Sequence, residues 1–394
     1  MISGLRRLYG YAARLPRAIR IPAAVFLATR VGIVMVAYLS VPTVADNPGA
    51  PPYHLRGTDN LLVDVFGSRW DTGFYVSIVD EGYKYEGVDL PSVPFFPLLP
   101  LVMRALLPLT GDAVTAGILA ANLALLGAAV LFYRLVDGKW GPATADRAVW
   151  YLLIFPVSFF GSAIYSESLF LLAAIAALLF ARRGRWGAAA AAGFLAGLSR
   201  FLGLIVAPLL FIEWLVRRRG PEADRPPWSA LLSSAAVPLG TLAYMGYLQM
   251  VFGDALAFKN GSAAWGREPA SPVRMIADLF AAPEGGWVAA LTGGGIHLDN
   301  WTDFLFVLAF LVMGVVLLAK REWAEGVFVL LGTLIPLSSG LWMSQRRYMW
   351  VLFPAFILLA RWGERPWVDR TVTAVSLALL GYFTVLFANG YWVG

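Results

Sequence analysis

Six charged residues of this 394-residue chain lie beside long apolar stretches and are of the types that perform acid–base and phosphate chemistry. They are Asp71, Glu167, Arg200, Asp254, Arg346 and Arg347. A carboxylate can remove a proton from a hydroxyl group, and a guanidinium group can hold a phosphate through charge-assisted hydrogen bonds. These residue types therefore fit the transfer of a group from a phosphate carrier to a hydroxyl, provided that the fold brings them together.

The composition indicates the environment in which the fold forms. Hydrophobic residues make up 59% of the chain, charged residues only 14%, and the mean hydropathy is +0.68. These values predict an all-α polytopic membrane protein. The absence of cysteine excludes disulfides and thiolate chemistry, and two histidines without paired spacing argue against a zinc site. No cofactor is expected, and a divalent metal could bind only through carboxylates.

Apolar runs predict about eleven membrane-spanning helices, because a helix needs roughly 17–25 apolar residues to cross a bilayer. These runs lie near 22–43, 113–134, 147–163, 165–181, 186–200, 202–216, 228–250, 301–319, 323–339, 348–362 and 371–390. A further run at 94–109 is rich in proline and contains Arg104, so we expect it to be interfacial or re-entrant.

The distribution of positive charge predicts the orientation. Most of the 31 lysines and arginines fall in short segments that an odd number of spans places on the cytoplasmic side. This topology explains the basic loops, so no nucleic-acid binding is expected. We therefore expect residues 1–394 to form one transmembrane domain with two long segments on the outer side. The first outer segment (44–112) is expected to carry surface helices, and the second outer segment covers 251–300. The six charged residues then all lie at the outer face.

The stretch "RWDTGFY" in the first outer segment contains Trp70, Asp71 and Tyr75. The two aromatic residues are equally compatible with a membrane-interface belt and with a binding site. Asp71 could cap a surface helix. Alternatively, partial desolvation at the membrane boundary would make it a general base for a membrane-embedded substrate.

The outward arginines need partners. Arg200 interrupts an apolar stretch, where a guanidinium either faces a carboxylate, a phosphate or a cavity, or snorkels to the surface at a hinge between two spans. Arg346 and Arg347 in "SQRRYMW" lie against the positive-inside trend, which favours an anion held there; snorkelling to lipid head groups is the alternative.

Three further polar positions remain ambiguous. Tyr165 and Glu167 lie in "YSES", where the chain turns back into the membrane, and Glu167 is expected mainly to cap the next helix or to pair with Arg200. Asp254 in "FGDALAF" fits a capping role and a catalytic role equally well. His297 is most simply a surface residue, as is the other histidine, although a neutral imidazole near a sugar phosphate is a possible ligand.

Seven stretches in this order and spacing resemble the PIG-V family, the second mannosyltransferase of glycosylphosphatidylinositol anchor assembly. They are "RWDTGFY", "EGY", "PFFPLLP", "YSES", "LSRFLG", "FGDALAF" with Trp265 after it, and "SQRRYMWVLFPAF", which together cover about residues 68–362.

The resemblance implies a GT-C glycosyltransferase fold. It also implies an inverting transfer of mannose from a polyprenyl- or dolichyl-phosphate-mannose donor to a lipid-linked glycan or glycolipid. It makes Asp71 the general base and assigns Arg200 and Arg347, with the neighbouring Arg346, to the donor phosphate. For Glu167, Asp254 and Tyr348, the resemblance implies a position in the site but no specific role. The Arg-, Ala- and Gly-rich composition favours a bacterial plasma membrane, with an active site that faces outward.

Two other functions use the same residue types. A lipid or solute transporter would line a translocation path with these charges, although such proteins usually carry paired broken helices and ionisable groups near the bilayer midplane. Another polyprenyl-phosphate-dependent transferase would share the phosphate chemistry with a different transferred group.

Overall fold

In a computed structural model, the described residues are 15–49, 60–222, 225–283, 286–293 and 298–393, and all regular structure within them is helical. The α-helices are α1 (Arg17–Ser40), α2 (Leu61–Phe66), α3 (Thr72–Glu81), α4 (Leu98–Thr110), α5 (Ala113–Trp140), α6 (Pro142–Leu153), α7 (Glu167–Arg182), α8 (Trp186–Ser199), α9 (Val206–Arg218), α10 (Leu232–Phe252), α11 (Ala257–Gly261), α12 (Pro272–Phe280), α13 (Gly286–Gly293), α14 (Leu298–Ala319), α15 (Trp323–Leu337), α16 (Gln345–Trp350), α17 (Phe353–Trp362) and α18 (Pro366–Ala388). The all-α prediction is confirmed for this part of the chain.

In the part of the chain that the structure describes, five helices are long and apolar enough to cross a membrane: α1, α5, α10 with the short 3₁₀ turn before it, α14 and α18. These helices have 22–28 residues, which correspond to about 33–42 Å, compared with a hydrocarbon core of about 30 Å. The predicted polytopic membrane protein is therefore confirmed.

The other predicted spans are shorter helices than the apolar runs suggested. The run at 147–163 ends as a helix at Leu153, and the run at 348–362 is divided between α16 and α17. Helices of 10–16 residues reach only about 15–24 Å. Two of these intervening non-helical segments carry Tyr165 and Arg200, and Glu167 begins the helix that follows the first of them. In a membrane protein, irregular backbone of this kind is tolerated only inside the protein, where its polar groups find partners.

Arg30, within α1, supplies such partners at the end of α6. Its guanidinium donates hydrogen bonds to the carbonyl oxygens of Leu153 (3.0 Å) and Ser158 (2.7 Å) and to the Ser158 hydroxyl (3.1 Å). Arg30 also lies 3.3 Å from the hydroxyl of Ser162, which in turn donates to the amide oxygen of Asn122. The buried segment 154–166 is thereby held in place, and it leads directly into Glu167.

The run at 94–109 forms α4, which packs against α3. Arg104 donates to the carbonyl oxygens of Ile78 (2.9 Å) and Val79 (3.2 Å) in the last turn of α3. Gly111, with φ +83°, ends α4 in the left-handed conformation that glycine adopts without strain. The segment 44–112 therefore contains the short helices α2, α3 and α4, of which α3 is largely buried in the fold.

Helices α8 and α10 approach each other through glycine. A Cβ atom on Gly240 would lie 2.2 Å from the carbonyl oxygen of Phe194, and one on Gly197 would lie 2.1 Å from that of Val237. The Thr241 hydroxyl donates to the Gly197 carbonyl oxygen (3.0 Å) across the same contact. Close approach through small residues is a common way to pack membrane helices. This crossing fixes the end of α8, where Arg200 begins the next segment.

Two charged clusters lie at the two ends of α7. Glu167 begins the helix, and Arg182 in its last turn pairs with Glu213 (3.3 Å) and Glu325. The 16 residues of α7 correspond to about 24 Å. Arg361 joins Glu322 (2.7 Å) near the second cluster, which we call the distal cluster (Arg182, Glu213, Glu322, Glu325 and Arg361). The distal cluster thus joins segments that the positive-inside pattern places on one side of the membrane.

Candidate active site

A cavity of about 190 Å³ lies where the irregular segments meet the first outer segment. Its charged lining residues are Asp71, Glu167, Arg200, Arg267 and Arg347. Its aromatic lining residues are Trp70, Tyr75, Phe95, Phe96, Tyr165, Trp265, Tyr348 and Trp392. Residues from distant parts of the sequence, between 70 and 392, therefore converge on one space. Most of the site residues predicted from the sequence are among them.

Asp71 directly precedes α3, at the position of a helix cap, but its side chain makes no capping hydrogen bond. Instead, its Oδ2 atom accepts a hydrogen bond from Arg347 Nη1 at 2.8 Å. Among the described residues, no group donates a hydrogen bond to its Oδ1 atom. The Asp71 amide N–H donates to the Tyr165 hydroxyl oxygen at 3.3 Å. The carboxylate is thus fixed through one oxygen and leaves the other for a proton from a bound hydroxyl.

Glu167 links two arginines. Its Oε1 atom lies 3.0 Å from Arg200 Nη1 and 3.5 Å from Arg347 Nε. The predicted pairing of Glu167 with Arg200 is therefore confirmed, and the Arg200 side chain turns inward at the break between α8 and the following turn. The Glu167 side chain is 2% exposed and that of Arg347 is 6% exposed. Two arginines around one buried carboxylate, together with Asp71, form a continuous ion-pair network across the cavity floor.

Arg267 is a cavity residue that the sequence analysis missed. Its guanidinium donates to the Tyr348 hydroxyl (3.1 Å) and to the Ser339 hydroxyl (3.0 Å). The signal that could have identified it is its place in "AAWGREP", an arginine two residues after Trp265 in the second outer segment. The argument applied to Arg346 and Arg347, a positive charge on the outer side, applies equally to Arg267.

Aromatic rings enclose the cavity. Trp70 and Trp392 meet edge to face at 4.8 Å, and Phe95 lies 5.2 Å from Tyr75 and 5.6 Å from Trp265. Trp70 and Tyr75, which the sequence left equally compatible with an interface belt and with a binding site, both line the cavity. Trp392, near the end of the chain, carried no signal in the sequence beyond its residue type.

The backbone is strained at two cavity positions. Trp70 has φ +55° and Ser344 has φ +75°, in the left-handed region that side chains other than glycine rarely adopt. Trp70 directly precedes Asp71, and Ser344 lies three residues before Arg347. Such strain costs about 1–3 kcal/mol at each position and is concentrated at functional sites, where it sets the direction of neighbouring side chains.

Two of the predicted site residues that the structure describes, Arg346 and Asp254, are not among the cavity's lining residues. Arg346 pairs with Asp303 (2.9 Å) and Asp299 (2.7 Å) instead of facing the cavity. Its side chain differs in direction from that of Arg347 because adjacent residues of a helix are rotated by about 100°. Asp254 accepts hydrogen bonds from Asn260 (2.8 Å), the Leu256 N–H (2.8 Å) and Tyr85 (2.9 Å). These bonds hold the pKa of Asp254 below its usual value and order the turn before α11, whose N-cap residue is Leu256. His297 lies outside the described residues.

The site combines the parts that a group transfer from a phosphate requires. A fixed carboxylate, Asp71, can accept a proton, and arginines can stabilise an anion that develops within a few ångströms. Within the described residues, no group of three or more histidine or acidic side chains could hold a metal ion. The cationic side chains among the described lining residues are Arg200, Arg267 and Arg347.

A family model for mannosyltransferases of the PIG-V type matches residues 42–212. This match confirms the resemblance stated from the sequence motifs and supports the assignment of the chain as a membrane glycosyltransferase. The matched range holds Asp71, Tyr165, Glu167 and Arg200, whereas Arg267 and Arg347 lie beyond it. A comparison with curated proteins finds no match.

Solved structures with some similarity include ArnT from Cupriavidus metallidurans bound to undecaprenyl phosphate, at 15% identity and a TM-score of 0.47, over 93% of this chain and 76% of that one. Another is the oligosaccharyltransferase AglB from Archaeoglobus fulgidus in complex with an inhibitory peptide and a dolichol-phosphate, at 14% identity and a TM-score of 0.43. That match covers 94% of this chain and 56% of AglB. Both TM-scores lie below 0.5, so neither similarity identifies the fold or the function of this chain.

Proposed function

We propose that this membrane glycosyltransferase has a GT-C fold and transfers mannose from a polyprenyl-phosphate-mannose donor to a hydroxyl group of a lipid-linked glycan or glycolipid. The observation that carries the proposal is the position of Asp71. One carboxylate oxygen is anchored by Arg347 and the other accepts no hydrogen bond from the described residues, in a cavity that also contains Arg200 and Arg267. The match to mannosyltransferases over residues 42–212 supports the transferred sugar.

In the proposed reaction, Asp71 Oδ1 accepts the proton of the acceptor hydroxyl as its oxygen forms a bond to the anomeric carbon of mannose. The bond between that carbon and the phosphate oxygen breaks, and its electron pair remains on the phosphate. A single displacement of this kind inverts the anomeric configuration, so a β-linked donor gives an α-mannoside. Arginines stabilise the charge that develops on the departing phosphate, and this stabilisation is larger in the transition state than in the ground state.

The proposed step does not require a metal ion, because guanidinium groups balance the phosphate charge. We expect transfer to continue at an unchanged rate when a chelator such as EDTA is added to the purified protein. A loss of activity that Mg²⁺ or Mn²⁺ restores would contradict this part of the proposal.

The test is transfer of labelled mannose from synthetic polyprenyl-phosphate-mannose into lipid extract by purified protein. We expect Asp71→Asn to lower the rate by at least about 100-fold, in keeping with the loss of a general base, while donor binding is retained. Asp89→Asn is the matched control, because Asp89 is an exposed carboxylate in the same outer segment. Near-normal transfer by Asp71→Asn would remove Asp71 from the role of base, and no transfer by native protein with any lipid acceptor would contradict the function.

A further inference from the structure

The charged groups of the cavity do not balance. Among the described residues, three guanidinium groups, from Arg200, Arg267 and Arg347, share the lining with two carboxylates, Asp71 and Glu167. One positive charge therefore remains. An excess charge in a partly desolvated space is costly unless an anion accompanies it, so the imbalance itself indicates an anionic ligand.

The two carboxylates form ion pairs with only two of the three arginines, Arg200 and Arg347. Arg347 pairs with Asp71 (2.8 Å) and lies 3.5 Å from Glu167, and Arg200 pairs with Glu167 (3.0 Å). Arg267 forms no ion pair with any described residue. Its hydrogen bonds go to neutral hydroxyl groups, those of Tyr348 and Ser339. The uncompensated charge of the cavity is therefore located on Arg267.

Arg267 is also fixed in position. The two hydroxyl groups hold both terminal nitrogens of its guanidinium. The backbone beyond it is anchored because the Ala270 N–H donates to the Ser338 carbonyl oxygen (3.0 Å). At Gly340, φ is +78° and an added Cβ would lie 2.4 Å from the Glu268 carbonyl oxygen. The segment around 268–270 and the turn at 338–340 thus form one rigid support, and a preorganised cation loses little entropy when it binds a ligand.

Arg267 is more accessible to a ligand than Arg347 is. The Arg347 guanidinium lies among the rings of Tyr165 (5.2 Å) and Trp392 (5.4 Å), and its side chain is only 6% exposed. Arg267 is half-buried, and one face of its guanidinium lies over the Tyr348 ring at 6.0 Å. A ligand that enters the cavity can reach Arg267 without breaking an ion pair, which is not true of Arg347.

We propose that Arg267 binds the phosphate group of the lipid donor, and that Arg347 and Arg200 chiefly position the carboxylates Asp71 and Glu167. This inference rests on the proposed function, since that function supplies the phosphate. A phosphodiester carries one negative charge, which the single excess positive charge of the cavity matches. When the bond to the sugar breaks, the second charge develops beside the same guanidinium.

The experiment measures the dissociation constants of farnesyl phosphate and of farnesol, two isoprenoids that differ only in the phosphate, for purified protein in detergent. We expect native protein to prefer the phosphate and Arg267→Gln to weaken its binding by about 10- to 100-fold, as the loss of a charge-assisted hydrogen bond predicts. Farnesol binding should not change. Arg274→Gln is the matched control, because Arg274 lies seven residues further along and its side chain is 79% exposed.

The outcomes separate the two proposals. If native protein prefers the phosphate and Arg267→Gln retains that preference, Arg267 is not the phosphate residue and the function stands. If native protein does not distinguish the two isoprenoids, the polyprenyl-phosphate donor is wrong, and the role of Arg267 with it. Arg267→Lys keeps the charge but loses the planar bidentate geometry, so an intermediate preference is expected. Where the glutamine variant does not fold, Arg267→Met decides the matter, because it also removes the charge and a preference for the phosphate equal to that of native protein would overturn the proposal.

Discussion

At the scale of single residues, the site depends on how a few charges are paired. Arg346 and Arg347 are adjacent in sequence, yet one pairs with Asp303 and the other with Asp71. Residue type alone could not distinguish them, because the direction of each side chain is set by the short helix α16 and by the strained backbone at Ser344. The ion-pair partners of a charged residue on the outer side of a membrane protein therefore indicate its role better than its position on that side does.

Glu167 is expected to be the most sensitive charge in the molecule. Glu167→Gln removes the only carboxylate partner of Arg200 among the described residues and one of the two partners of Arg347. Breaking a buried ion pair in this way costs about 3–5 kcal/mol, because a guanidinium remains buried without its counterion. We expect a clear decrease in the unfolding midpoint in detergent, measured by intrinsic fluorescence.

The control for Glu167 is Glu364→Gln. Glu364 pairs with Arg147 at 3.7 Å, but its side chain is 64% exposed, and exposed ion pairs contribute at most about 1 kcal/mol. Equal unfolding midpoints for the two variants would show that the network around Glu167 does not stabilise the fold.

Some of these contacts could be predicted from the sequence and others could not. The Glu167–Arg200 pair was expected, because both residues interrupt apolar stretches that one membrane face brings together. Arg267 was missed although the positive-inside argument covers it. The left-handed backbone of Trp70 could not be predicted, because only glycine and asparagine carry a sequence signal for that conformation.

At the scale of elements, hydrophobic runs predict where helices form but not where they break. The run at 147–163 is apolar throughout, yet its helix ends at Leu153, because the fold provides Arg30 to satisfy the carbonyl groups released there. That partner lies 123 residues away in the chain, so no local pattern can report it. The breaks matter, since the segments they create carry Tyr165 and lead into Glu167.

The packing of α8 against α10 gives a test at this scale. Gly240→Ala places a Cβ atom 2.2 Å from the Phe194 carbonyl oxygen, so the two helices must separate. We expect a loss of about 1–3 kcal/mol in stability, the usual cost of overpacking, and a lower rate of mannose transfer because Arg200 follows α8 directly. Gly246→Ala on the same helix is the control, since nothing lies within 4 Å of its added Cβ. A fully active, equally stable Gly240→Ala protein would show that this contact does not position the site.

At the scale of the whole molecule, charge is separated along the helix bundle. The cavity contains one excess positive charge at the start of α7, and the distal cluster lies at its other end, about 24 Å away. The distal cluster joins Arg182, Glu322 and Arg361, which come from three segments that the positive-inside pattern assigns to the cytoplasm. A transporter would place its ionisable groups near the middle of the membrane, whereas the two ion-pair networks described above lie at the two ends of α7.

This separation predicts that the cavity faces away from the cytoplasm, and the sequence offers a direct way to test it. The chain contains no cysteine, so each introduced thiol is unique. With the protein in the plasma membrane of a bacterial host, we expect Val88→Cys, at an exposed position in the first outer segment, to react with a membrane-impermeant maleimide in intact cells. Glu222→Cys, exposed in the basic segment after α9, should react only after permeabilisation. The reverse labelling pattern would place Asp71 and Arg267 on the cytoplasmic side and would require a donor whose sugar phosphate is presented there, because a carrier phosphate does not cross the hydrocarbon core with its charge unpaired.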